Sequence, residues 1–79
     1  MELDELKTLV AETLKIPRDK LSESVSISRE FGVDSLAILR LICQIENTYD
    51  VQIDEQELDL LDNLAAAHRY INYLIAKKT

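Results

Sequence analysis

The stretch Phe31-Gly32-Val33-Asp34-Ser35-Leu36 runs without a break into Ala37-Ile38-Leu39-Arg40-Leu41-Ile42-Cys43-Gln44-Ile45-Glu46-Asn47-Thr48-Tyr49. Its reading decides the fold. In the second part Ile38, Leu41, Ile42, Ile45 and Tyr49 fall at i, i+3, i+4, i+7 and i+11, the spacing of one helix face. The first part is the turn that feeds that helix. Gly32 is the only glycine of the chain, and glycine alone reaches positive φ without steric cost, so a tight turn is expected there. Asp34 is a favoured N-cap, because its carboxylate can accept from the free N–H groups of the first turn. Ser35 is then the first helical residue. Its hydroxyl has two readings at this point. It is a tolerated first-turn residue, or it carries a phosphate ester at the partly positive end of a helix.

A second apolar stripe, Leu36, Leu39 and Cys43, is rotated away from the first. A domain of 79 residues has no room to bury both. Either this helix is covered nearly all round or the second stripe is exposed and binds something. We expect exposure, since the stripe begins beside Ser35.

N-terminal to this segment, Leu3, Leu6, Val10 and Leu14 mark a first helix from Met1 to Lys15, which Pro17 should stop at Ile16. Residues 16–34 read as a long loop, with a helical turn at Arg18-Asp19-Lys20-Leu21. Ile16, Leu21, Ile27 and Phe31 should anchor it to the core, as loops of this length need. On the C-terminal side, Val51 and Ile53 should point inward. Asp54-Glu55-Gln56-Glu57 matches a capping box, opening a short third helix over 55–61 that buries Leu58 and Leu61. Asn63 should cap a final helix with Leu64, Ala67, Ile71 and Leu74 on its buried face, ending near Ala76. The expected fold class is all-α: a small four-helix bundle of three longer helices and one short one, forming a single domain over residues 1–79.

Composition narrows the function. The net charge of −6 disfavours nucleic acid and anionic membrane, which need a basic face. Cys43 is the only cysteine, so no internal disulfide forms. No run approaches the ~20 apolar residues of a membrane span, and the N-terminus lacks the layout of a signal peptide. A cytoplasmic, monomeric protein is expected.

Gly32-Val33-Asp34-Ser35-Leu36 resembles the Gly-x-Asp-Ser-Leu signature of acyl carrier proteins, and the order of helices resembles that family over residues 3–76. The resemblance implies that Ser35 carries a covalent 4′-phosphopantetheine arm whose thiol holds an acyl group as a thioester. It implies that the chain is not an enzyme. A phosphopantetheinyl transferase, with Mg²⁺ and coenzyme A, would load Ser35, which attacks the pyrophosphate. An acyl-loading enzyme, acyltransferase or ketosynthase would then engage the arm. Asp34 is implied in transferase recognition, beside its reading as an N-cap.

The partner face is expected at Asp34, Leu36, Leu39, Arg40, Cys43, Glu46 and Asn47. Fatty-acid-type carriers have acids where this chain has Ala37 and Arg40, leaving Glu46 as the clearest exposed acid. A more apolar, specialised interface follows, as in polyketide or mixed polyketide–peptide (antibiotic) biosynthesis. Fatty-acid and peptidyl carriers are the alternatives, and Val33, where peptidyl carriers have a second glycine, leans toward acyl. A reading of another class is an unmodified helical interaction module using Leu36, Leu39 and Cys43 as its groove.

Other candidates fail on chemistry. His68 lacks companions for a metal, so a boundary histidine is expected. Asp34 and Ser35 are adjacent and cannot flank one imidazole in a relay. Asp50–Asp54 fails as a calcium loop, since Glu55 stands where glycine is needed and Leu61 where the bidentate glutamate belongs.

Overall fold

The computed structural model describes residues 1–78. Helix α1 (Leu3–Leu14) leads to a 3-10 turn (Arg18–Lys20), a short helix α2 (Ile27–Phe31), the long helix α3 (Ser35–Tyr49), a 3-10 segment (Glu55–Asp62) and helix α4 (Leu64–Lys77). No strand forms among the described residues. The all-α class and the small bundle follow.

The core gathers one buried stripe from each long helix: Leu6, Val10 and Ala11 of α1, Leu41 and Ile45 of α3, and Leu64, Ala67 and Ile71 of α4. Ile16, Leu21 and Ile27 from the long connection, and Ile53 and Leu61 after α3, complete it. The anchoring of residues 16–34 by Ile16, Leu21 and Ile27 thus holds, while Phe31 is only half-buried against the core. Leu3, Leu14, Ile42, Tyr49, Val51, Leu58 and Leu74 flank the core half-buried. Ala11, absent from the expected stripe, is buried instead. Ile38 also departs from expectation. It lies half-exposed at a cleft with Leu58 instead of in the core.

Two element boundaries differ from the periodicity. First, α1 stops at Leu14 because Lys15 turns left-handed (φ 59°), with the Ile16 N–H donating to the Ala11 carbonyl at 2.9 Å. Pro17 reinforces that stop. Second, residues 27–31 are a helix, α2, where a loop was expected. Its N-cap Ser26 accepts from the Arg29 N–H at 3.3 Å, and its C-cap is Gly32 in the left-handed region (φ 62°). The positive φ expected of Gly32 is present, but it closes α2 before the chain opens α3.

The third helix is 3-10 and not α. Asp54 caps it by accepting from Gln56 N–H at 2.9 Å. The reciprocal half of a capping box is missing, because the Asp54 N–H already donates to the Tyr70 hydroxyl at 3.1 Å. Asn63 caps α4 through the Ala66 N–H at 3.0 Å, as its position suggested.

Candidate functional site

The site begins at the junction of α2 and α3. Gly32 ends one helix, Val33 bridges, and Asp34 in extended backbone (φ −86°, ψ 174°) starts the next. The Asp34 carboxylate accepts from the Ala37 N–H at 2.9 Å, and its carbonyl accepts from Ile38 N–H at 3.2 Å. The carboxylate is therefore folded back over the first turn as a cap. Ser35 is the first residue of α3 and is exposed. Among the described residues, the N–H groups of Ser35 and Leu36 have no intramolecular partner. A hydroxyl set on solvent at such a terminus suits a phosphodiester, whose charge these N–H donors and the helix dipole favour.

The junction is held in place from outside α3. Asp62, at the end of the 3-10 segment, accepts from the Ser28 N–H at 2.7 Å and from the Ser26 hydroxyl. Ser26 also makes an antiparallel bridge to Asn63, and the Ala65 N–H donates to the Glu23 carbonyl at 3.2 Å. Burial works against the charge on Asp62, but the hydrogen bonds from Ser26 and Ser28, with Arg29 nearby, outweigh it and hold the carboxyl below the usual aspartate value. The clasp was not foreseen, although Ser26 and Asp62 sit in segments read as polar loop and helix end.

The second stripe of α3 is exposed, with Leu36 at 59% and Leu39 at 54% accessible. Leu36, Leu39, Arg40, Cys43 and Gln44, with Thr13 of α1, line an open groove of about 500 Å³ that starts next to Ser35. On another side of α3, Ser28, Ile38, Leu58, Asp59 and Asp62 line a smaller cleft of about 320 Å³. A larger polar cleft of about 780 Å³ between Gln52–Glu57 and the Tyr70–Lys77 part of α4 holds neither Ser35 nor any residue of the expected partner face.

Of the expected partner face, Asp34, Leu36, Leu39, Arg40, Cys43 and Asn47 are exposed. Glu46 is not the free acid that was expected. It is half-buried, and its carboxylate accepts from the Ile53 N–H at 2.9 Å, which ties α3 to the following connection. The sequence placed it on a helix surface but gave no sign that the turn after α3 would bring a backbone donor to it.

His68 lies at a boundary: its Nε2 is 2.9 Å from the Met1 carbonyl oxygen, next to Asn72. No group of three or more metal-ligating side chains gathers among the described residues. No helix among them is long and apolar enough to cross a membrane.

With this geometry in view, the comparison with known families decides the matter. Residues 4–71 match the PP-binding family, described as "Phosphopantetheine attachment site". The chain belongs to that family. PP-binding domains attach 4′-phosphopantetheine covalently, and the chain is accordingly a phosphopantetheine-bearing carrier protein of acyl-carrier type. As such it interacts with a phosphopantetheinyl transferase and with acyl-handling enzymes in general. The residues around the α2–α3 junction fit the arm: a solvent-facing hydroxyl, free N–H donors beside it, and no side chain capping them from Asp34, whose oxygen is engaged at Ala37.

Proposed function

We propose that Ser35 is the attachment residue. The chain then acts as a single, non-catalytic carrier domain in the cytosol, delivering acyl thioesters to enzymes of polyketide or related biosynthesis. The observation that carries the attachment is the placement of the Ser35 hydroxyl: exposed, first in α3, and inside a Gly-x-Asp-Ser-Leu sequence whose Asp34 caps the same helix.

In this reading Ser35 Oγ attacks the pantetheine-bearing phosphorus of coenzyme A and gives up its proton to solvent; the Oγ–P bond forms as the P–O–P bond breaks, and adenosine 3′,5′-bisphosphate leaves. When bound, the arm supplies a terminal thiol that holds acyl groups as thioesters. Asp34 keeps the first turn of α3 wound, so that Oγ stays outside the helix barrel. The first-turn N–H groups and the helix dipole balance part of the new phosphate charge. The face formed by Asp34, Leu36, Leu39, Arg40, Cys43 and Asn47 meets the transferase and the acyl-handling enzymes. Two features support a specialised pathway. Ala37 and Arg40 stand where fatty-acid-type carriers have acids, and Glu46, the remaining acid of α3, is engaged with Ile53.

The test is an intact-mass measurement. The full chain is incubated with coenzyme A, Mg²⁺ and a broad-specificity phosphopantetheinyl transferase. A mass gain of one phosphopantetheine on the wild type, absent from a folded Ser35→Ala variant, is expected. Folded wild-type chain that gains no mass, or a Ser35→Ala variant that still gains it, refutes the assignment.

A further inference from the structure

The exposed face of α3 carries a charge unlike that of the molecule around it. The chain has a net charge of −6, yet from Ser35 to Tyr49 its only charged residues are Arg40 and Glu46. Glu46 is half-buried and spends its carboxylate on the Ile53 N–H. Asp34, at the head of the helix, spends one oxygen on the Ala37 N–H. Arg40 is exposed, and among the described residues its guanidinium makes no hydrogen bond or ion pair. The groove lining of Thr13, Leu36, Leu39, Arg40, Cys43 and Gln44 contains no carboxylate. An acidic protein thus presents, beside its reactive serine, a strip that is apolar and locally cationic.

We infer that this groove docks a helix of the partner enzyme that presents an apolar stripe and one carboxylate, the carboxylate pairing with Arg40. The inference rests on the carrier reading of Ser35 and names the chemistry of the partner. The geometry points to a helix because Leu36, Leu39 and Cys43 lie at i, i+3 and i+7, spanning about 10 Å of α3 at 1.5 Å per residue. That is the length over which the i, i+3/i+4 and i+7 side chains of a second helix interdigitate. Charge complementarity selects the carboxylate. A basic partner would place its cation against an unpaired guanidinium with no acid in the groove to compensate, whereas an acid there gains a planar, bidentate donor. Leu36 and Leu39, which line the same groove, would shield the pair from water along one side and strengthen it. The long-range field of the molecule favours basic partners, so selection against them must occur at contact range, where Arg40 acts.

The full-length ¹⁵N-labelled chain, carrying the arm, is titrated with two synthetic amphipathic helices. They share leucines at i, i+3 and i+7 and differ in one flanking residue, glutamate or lysine. The glutamate peptide is expected to shift the amides of Leu36, Leu39, Arg40 and Cys43, and to bind roughly five- to thirtyfold more tightly than the lysine peptide, the range of a partly shielded interfacial ion pair. Arg40→Glu, at an exposed position that leaves the helix intact by circular dichroism, is expected to reverse the order. Equal affinities, a preference for lysine in the wild type, shifts outside this strip, or no shift with either peptide overturns the inference. The mass gain of the wild-type chain reports separately on the carrier reading, so failure of one is told apart from failure of the other.

Discussion

Replacing Asp62 with alanine removes the side-chain hydrogen bonds that, beside the Ser26–Asn63 bridge and the Ala65–Glu23 bond, tie the segment before Ser35 to the head of α4. In the native fold this carboxylate accepts from the Ser28 N–H at 2.7 Å and from the Ser26 hydroxyl, and Ser26 in turn caps α2 through Arg29. Hydrogen bonds to a charged acceptor contribute about 1.5–3 kcal/mol each when well shielded. Asp62 and both serines are half-buried, so we take about 1 kcal/mol per bond after solvent screening, about 2 kcal/mol for Asp62→Ala. For a domain of this size that corresponds to a fall in Tm of about 8–16 °C. Asp62→Asn keeps one acceptor oxygen for Ser28 and should lose about half as much. The loss should also depend on pH in a defined direction. The carboxyl is held below its ordinary value in the folded state, so its contribution is fully present above the unfolded aspartate value of about 3.9 and disappears as pH falls through the lower folded value. Thermal unfolding followed by circular dichroism at pH 7 and at acid pH, with amide exchange at Ser28, measures both. A Tm within about 2 °C of wild type at pH 7, or a Ser28 amide that exchanges no faster in Asp62→Ala, refutes the clasp as a stabilising element.

Gly32→Ala should cost about 1–2 kcal/mol in chemical denaturation through backbone strain alone, since φ is +62° and the added methyl meets nothing within 4 Å; an unchanged midpoint would show that the turn relaxes freely. Asp34→Ala removes the cap at Ala37 and should lower stability by about 1 kcal/mol, while Asp34→Ser restores most of it, both read from urea unfolding midpoints. The Tyr49 hydroxyl, which donates to Glu5 at 2.9 Å, is pushed up to about 12 by burial and by the Glu5 carboxylate. Its contribution to stability is therefore complete below pH ~10 and lost between about pH 10 and 12, so alkaline titration should unfold the wild type more steeply than Tyr49→Phe. Ile71→Ala, at a fully buried position, should cost about 2–5 kcal/mol and leave the chain largely unfolded at 37 °C by circular dichroism.

Much of this architecture was legible because it is local and periodic. The bounds of α3, its capping by Asp34, the exposure of Leu36 and Leu39, and the capping of α4 by Asn63 all follow from spacing and side-chain chemistry within a few residues. Helix α2 escaped because five residues give no periodicity to read. Of its caps, Gly32 reads in the sequence only as the turn into α3, and Ser26, six residues before it, reads only as part of the loop. The 3-10 winding of 55–62 escaped for another reason. Its N-cap fits either helix type, and what removed the capping box was Tyr70, sixteen residues away. Glu46 follows the same rule. Its partner, Ile53 N–H, lies beyond the left-handed turn at Asp50, so a residue that reads as surface acid becomes a tether. Lys78, just past the end of α4, donates to the carbonyls of Tyr49 (2.9 Å) and Asp50 (2.7 Å) and closes α3.

These non-local contacts share a direction. Asp62 holds the segment before Ser35, Glu46 and Lys78 hold the end of α3, and Tyr49 ties that end to α1 through Glu5. Each uses a polar side chain that the helix surface would otherwise offer to solvent or to a partner. What remains free on α3 is Ser35, the leucine stripe, Arg40 and neutral residues. The bonds that stabilise the long helix thus also determine its recognition character, because they withdraw its one remaining acid from the surface. A variant that released Glu46, for example by Ile53→Pro, which abolishes the donor N–H, should return a carboxylate to the partner side of α3. The groove's preference for an acidic over a basic helix should then weaken even though no groove residue has changed. That outcome would separate charge at the face from the shape of the groove as the source of selectivity.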